Sequence, residues 1–394
     1  MKKIVIIGLI SYTNMGDPLL VDCIKYMIAN KISNEKVQIK YADLQGRELS
    51  VQEDLKQHRS TVVMKAKKKA KHIIKRFIGP RGITKVKTQK IRREAKEYYT
   101  KAIQGADLVI ISGAGTLRWH TRGNFEPYYD LISEYAQQLN APCVINGIGV
   151  ESKYSNSDYR SAQFSEVLSR DVFKIITTRD NLEELQKYVK NDKTKVFKIA
   201  DAGVWAAETY NCAKQLNSSV IGLGVITYRR FEEFHRGISK EQYEKTIQEI
   251  IGCFNQKGIE WRMFTNGCQE DNEYAVYLND KFNGIKPVLI PDTPKALVEA
   301  ISQFKGVVAS RLHSCIVAYS LDVPFVNICW NDKIKYFCET LGVPERCIEA
   351  DRLKASVIME ELQRALQNGY DREQKNQYRQ TAVDAIDEYL ALIE

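Results

Sequence analysis

Four consecutive residues, Arg311-Leu312-His313-Ser314, carry the clearest chemistry in this 394-residue chain. They follow an aliphatic run, Gly306–Ala309, that reads as a buried strand, and they lead into an apolar run, Ser314–Ser320, that reads as a helix. A strand end feeding a helix start presents backbone N–H groups and the positive end of the helix dipole, which together favour an anion. A guanidinium at that spot adds bidentate recognition of carboxylate or phosphate. The imidazole two residues on can hold or release a proton near neutral pH. The same four residues also suit a capped helix with a surface arginine and a packed histidine, so residue types alone leave both readings open.

Other strand-end turns carry weaker signals. Asn14-Met15-Gly16-Asp17 follows the aliphatic run Lys3–Gly8, and Pro18 is placed for the first turn of a helix. Asp17 there suits either a base for a hydroxyl or a helix cap. Ser112-Gly113-Ala114-Gly115 closes Leu108–Ile111; Gly113 and Gly115 permit either close approach of a ligand or a tight turn. The third glycine and the acid of a dinucleotide fingerprint are missing. Arg118, Trp119 and His120 come next, with Trp119 readable as a sugar-stacking platform or as a core aromatic. Lys333 opens a helix after Phe325–Ile328, where it either meets a phosphate or stays solvated.

These turns need a frame, and the periodicity supplies one. Strand and helix patterns alternate from Lys3 to Ile199 and again from Val220 to Leu341, with a strand also predicted at Pro287–Ile290. The expected fold is α/β, with two Rossmann-like domains facing each other across a cleft. Residues 1–205 form the first domain, with a basic helical insertion at 56–101. A polar linker spans 206–218, a second domain 219–370, and a C-terminal helix 371–394. Ligands in such sheets sit beyond the carboxyl ends of the strands, so the site is expected in the cleft.

Composition narrows the class. The 44% hydrophobic and 27% charged content is that of a globular protein. The apolar run Ile4–Ile10 is too short to span a bilayer and reads as a first strand, so a cytoplasmic protein is expected. Nine scattered cysteines show neither C-x-x-C pairs nor metal spacing; reduced core thiols and no metal are expected. The +9 net charge comes from one segment: 56–101 holds 17 Lys or Arg against two acids, whereas the remainder has 41 basic and 47 acidic residues. Within it, 62–78 has an apolar stripe at helical period and a lysine face. That helix suits either an anionic membrane surface at the inner face of the membrane or packing on its own domain. The segment lacks a base-stacking pattern, which argues against nucleic acid.

The block R-L-H-S, helix, then Val323-Pro324-Phe325-Val326-Asn327-Ile328-Cys329-Trp330-Asn331-Asp332-Lys333 resembles the C-terminal signature of the polysaccharide pyruvyl transferase family. Asn14–Asp17 resembles that family's N-G-D element. Ser112–Gly115 resembles its glycine-rich strand end, with Ala114 in place of a glycine. Thr178-Arg179-Asp180 resembles its central R-D, and Asp201 falls at its D-rich strand end. The matches run in family order from about residue 3 to 341.

The resemblance implies a GT-B-like pair of domains and a transferase taking a pyruvyl group from phosphoenolpyruvate to a sugar of a cell-surface polysaccharide or its lipid-linked precursor, as a cyclic ketal, without a cofactor. It places Arg311, Leu312, Ser314, Lys333 and an arginine after the first strand of the second domain at the donor. That arginine is Arg229 or Arg230, with Arg229 favoured. His313 becomes the acid, with a pKa raised by neighbouring anions, and Asp17 the candidate base. Asn14, Gly16, Gly113, Gly115, Trp119 and Arg179 fall on the acceptor side. A nucleotide-sugar glycosyltransferase of the same architecture and a non-catalytic membrane-associated scaffold are the competing expectations.

Overall fold

A computed structural model describes residues 1–11, 14–32, 36–47, 88–119 and 124–394. His120 and the basic amphipathic segment 62–78 lie outside the described residues.

The first half alternates strand and helix: β1 (Lys2–Gly8), α1 (Gly16–Ala29), β2 (Val37–Asp43), a helix α2 described over 88–103, β3 (Leu108–Ser112), α3 (Glu126–Gln138), β4 (Cys143–Ile148), α4 (Tyr159–Leu168), β5 (Phe173–Thr178), α5 (Leu182–Tyr188) and β6 (Lys195–Lys198). Its six strands are all parallel in the order β2-β1-β3-β4-β5-β6. The central runs Ile4–Ile7 and Leu108–Ile111 are fully buried, as strands covered by helices on both faces must be. A one-turn helix, α6 (Ala206–Thr209), leads out of this half.

The second half holds β7 (Ile221–Gly224), α7 (Arg229–Glu233), α8 (Lys240–Gln256), β8 (Trp261–Phe264), α9 (Gln269–Lys281), α10 (Pro294–Ser302), β9 (Gly306–Ala309), α11 (Leu312–Ser320), β10 (Phe325–Ile328), α12 (Asp332–Thr340), β11 (Cys347–Ile348) and α13 (Ala355–Asn368). Five parallel strands run β11-β10-β9-β7-β8. The strand expected at Pro287–Ile290 is reduced to a single bridge, Phe264 to Leu289. Pro287 has no N–H to give a ladder, which is one reason the pairing does not extend.

The last helix, α14 (Arg372–Leu390), ties the halves together. At its start Lys375 Nζ donates to the carbonyl of Tyr319 in the second half at 2.6 Å. At its end the Tyr389 hydroxyl sits buried against Thr177 Oγ1 (3.0 Å) and accepts from Asn146 Nδ2 (3.3 Å) in the first. Among the described residues no helix is long and apolar enough to cross a membrane.

Candidate active site

The carboxyl ends of nine strands, β1 to β5 and β7 to β10, feed residues into one cavity of about 290 Å³ between the two sheets. A strand's carboxyl end is where the chain must turn toward a helix, so functional side chains gather there without disturbing the ladder.

β9 delivers Arg311 as the N-cap of α11, with Leu312 and His313 in the first turn. Arg311 is held by an acid that sequence reasoning missed. Its Nε donates to Asp271 Oδ2 at 2.7 Å, and its Nη2 lies 2.6 Å from the same oxygen at an angle unsuited to a hydrogen bond. Asp271 is fully buried, and its other oxygen accepts from the Thr227 N–H at 3.0 Å. The guanidinium is thereby aimed, and it also lies over the Trp330 ring, 5.6 Å from its centre.

His313 comes from the second half but meets the first. Arg179 Nη1, at the end of β5, is 3.2 Å from His313 Nε2, and the same guanidinium pairs with Asp201. Arginine can only donate, so Nε2 accepts and the ring proton sits on Nδ1. Beneath Nδ1 lies Gly16, where any Cβ would overlap the ring. Burial, together with Arg179, Lys333 and Arg311, pulls the His313 pKa down to about 3, although Asp201 opposes the shift. This corrects the sequence-based expectation of a raised value: the ring is buried, the charged groups facing it are mostly cations, and Asp201, the anion nearest to it, is paired with Arg179.

Asp17 is the second residue of α1 rather than its cap; the N-cap position belongs to Met15, which makes no side-chain capping bond. The carboxylate accepts from Asn14 Nδ2 at 2.9 Å. Burial raises its pKa, with Lys333, the Asn14 bond, Arg179 and Arg311 pulling the other way. Across the cleft, Lys333 Nζ is 2.9 Å from Glu151 Oε1, and Arg118 Nη1 is 3.4 Å from Glu151 Oε2. Burial acts to raise the Glu151 carboxyl, but Lys333 and Arg118 outweigh it and hold it below the usual carboxylate range. A Cβ on Gly115 would collide with Glu151, so this glycine makes room for the acid rather than for a ligand.

Thus His313, Asp17, Asn14, Arg179, Arg230, Arg311, Leu312, Lys333 and Gly115 all line the cavity, with Gly16 packed under the histidine ring and Ser314 just behind. Beyond Gly16 and Ser314, three more expected residues do not line it. Arg229 is exposed on α7, and its neighbour Arg230 lines the cavity in its place, held by Glu233 at 2.7 Å. Trp119 is buried in the first half, its Nε1 donating to the Tyr188 hydroxyl at 2.7 Å and Arg160 lying over its ring. Gly113 packs against the Ile148 backbone. The positive φ of that turn belongs to Ala114, at 44°.

Glu151, Asp271 and Asn266 are the site residues that sequence reasoning overlooked. Glu151 and Asn266 each follow a predicted buried strand and could have been found by the strand-end rule; Asp271, at the start of a predicted helix, had no comparable signal.

The polar atoms left over reveal what the cavity asks for. Among the described residues lining this cavity, Nε of Arg118, Arg179 and Arg230 and Nδ2 of Asn266 are buried donors without a hydrogen-bond partner, against two such acceptors, Asn14 Oδ1 and Gln45 Oε1. Buried donors are almost always paired. Four donors, three of them on guanidinium groups, outnumber the two acceptors and favour an acceptor-rich ligand, which an anion with several oxygens would be.

A sequence profile for the family described as polysaccharide pyruvyl transferase matches residues 14–332. No curated protein matches in sequence. Solved structures similar in fold include three proteins. The UDP-GlcNAc 2-epimerase of Neisseria meningitidis, bound to UDP-GlcNAc, has TM-score 0.51 and 13% identity, covering 99% of this chain and 100% of that one. A Listeria monocytogenes protein described as a UDP-N-acetylglucosamine 2-epimerase has TM-score 0.53 and 10% identity, covering 99% and 96%. The Methanocaldococcus jannaschii UDP-GlcNAc 2-epimerase, in complex with UDP-GlcNAc and UDP, has TM-score 0.52 and 11% identity, covering 99% of each chain. At such identities the likeness shows the GT-B fold alone.

Proposed function

The chain belongs to the polysaccharide pyruvyl transferase family, and on that premise we propose that it transfers a pyruvyl group from phosphoenolpyruvate to two hydroxyls of a sugar, forming a cyclic ketal. The observation that carries this reading is the set of unpartnered buried donors around Arg311 and the start of α11. Phosphoenolpyruvate brings a carboxylate and a phosphate on one small frame, with close to three negative charges. Guanidinium groups and a helix N-terminus offset that charge best where water is excluded.

The proton economy follows from His313. Without a donor the ring is neutral at physiological pH. A bound trianion reverses the local field, so the imidazole takes up a proton as phosphoenolpyruvate enters. The imidazolium then protonates the donor methylene while a sugar hydroxyl attacks the adjacent carbon, forming the first C–O bond. Asp17, with its proton affinity raised by burial, accepts the hydroxyl proton. Cleavage of the C–O bond to phosphate leaves an oxocarbenium carbon and releases inorganic phosphate; the second hydroxyl attacks that carbon to close the ketal and gives its proton to the now neutral imidazole of His313. Lys333 reaches the leaving phosphate if it exchanges Glu151 for it.

The competing nucleotide-sugar reading has the fold in its favour and no site residue: of the two acids that could meet a ribose, Glu299 and Asp332, neither lines the cavity, and Asp332 is paired with Arg236 at 2.6 Å. The test is to follow phosphate release from phosphoenolpyruvate with a panel of glycosides and nucleotide sugars as acceptors, with thermal shift in parallel. Phosphate release with one acceptor class is expected. Stabilisation by nucleotide sugars, with neither stabilisation nor phosphate release from phosphoenolpyruvate, would overturn the proposal.

A further inference from the structure

Asn266, which follows β8, is 1% exposed and uses its polar groups in three directions. Its Oδ1 accepts from Ser314 Oγ, in the first turn of α11, at 2.5 Å. Its carbonyl accepts from the Met15 N–H at 2.8 Å, across the cleft. Its Nδ2 has no partner, although the residue lines the cavity. With Oδ1 taken by Ser314, Nδ2 is the free edge of the amide. A neutral amide here adds direction to the anion site without adding charge.

We propose that Asn266 is a ligand for the anionic donor, its Nδ2 donating to a phosphate or carboxylate oxygen bound at the start of α11. This rests on the phosphoenolpyruvate reading of the site. It adds a consequence: the residue that grips the donor also holds Met15, the neighbour of both Asn14 and Gly16. Donor and acceptor sides therefore share one tether, independent of Arg311 and Lys333.

The experiment is calorimetric titration of the full chain with phosphoenolpyruvate and, separately, with inorganic phosphate and with pyruvate. The variants are Asn266→Ala and Asn266→Asp. The Met15 bond uses backbone atoms, so both variants are expected to melt within a few degrees of the unsubstituted protein; should the alanine form fail to fold, the isosteric aspartate carries the test. Asn266→Ala is expected to raise the phosphoenolpyruvate Kd about tenfold, as for loss of one hydrogen bond to a charged group. Asn266→Asp should raise it further, because a carboxylate then faces the anion. Whichever of phosphate or pyruvate weakens in step identifies the end of the donor that Asn266 holds. Folded variants that bind phosphoenolpyruvate with unchanged affinity would overturn the assignment while leaving the donor reading intact. Failure of the unsubstituted protein to bind phosphoenolpyruvate would remove both.

Discussion

Two strand-end turns face each other across the cavity, and they are built alike but charged oppositely. The turn from β1 into α1 puts an acid, Asp17, in the first turn of its helix, so α1 supplies the negative partner of its own dipole. The turn from β9 into α11 has no acid in its first turn and no side-chain cap; it begins with Arg311 and His313. The first turn of α11 supplies no acid of its own to offset its dipole, and a bound anion would offset it. Under the proposed function this difference divides the labour of one repeated architecture: one turn would receive an anion, the other would remove a proton.

The largest effect should come from Arg311, because losing it damages both binding and fold. Arg311→Met is expected to lower kcat/KM by about 10³-fold or more and to cost about 3–5 kcal/mol of stability, since Asp271 is left buried without its cation. Arg311→Lys keeps the charge and should lose activity with a smaller drop in melting temperature. Equal stability loss in both variants would break the comparison at its stronger side.

His313→Ala should lower kcat by about 10²- to 10⁴-fold while leaving phosphoenolpyruvate bound. The pH dependence has a definite sign. With a folded pKa of about 3, the ring takes up its proton on unfolding at any pH between about 3 and its ordinary value. His313 therefore costs stability as pH falls through that window, and the alanine variant should show a shallower loss of melting temperature in acid. An unchanged acid profile would mean that the ring is not held neutral. Next in size, Gly16→Ala pushes a Cβ into that ring from the opposite turn. It should reduce kcat by about 10²-fold through misplacement of the imidazole, with the far-ultraviolet circular dichroism spectrum unchanged; undiminished turnover would separate the two turns.

A third turn, Gly113–Gly115, gives the smallest effect. Ala114 holds a positive φ of 44° that a side chain resists. Ala114→Gly should stabilise the fold by up to about 1 kcal/mol without altering kinetics, as read by thermal melting. A destabilised variant would mean that the methyl group's packing outweighs the strain.

Much of this was legible in the sequence because it depends on neighbours along the chain. The aliphatic strands, the alternation that fixes two parallel sheets, and the placement of Arg311 and His313 at a strand end follow from local pattern. What escaped depends on distance. Asp271 reaches Arg311 over 40 residues and Trp119 meets Tyr188 over 69, and no periodicity announces either pairing. Arg229 and Arg230 are adjacent on a short helix, where about 100° of rotation separates their directions; only packing decides that Arg230 turns inward. The depressed His313 pKa was missed for the same reason, since both the burial of the ring and the approach of Arg179 come from the packing of one half against the other.

The most direct measurement is a crystal structure of the protein soaked with phosphoenolpyruvate. The account predicts an ordered donor with its anionic oxygens against Arg311 and the first N–H groups of α11, and its methylene carbon within reach of His313. Density elsewhere, or a cleft that takes up a uridine nucleotide but no phosphoenolpyruvate under the same conditions, would contradict it.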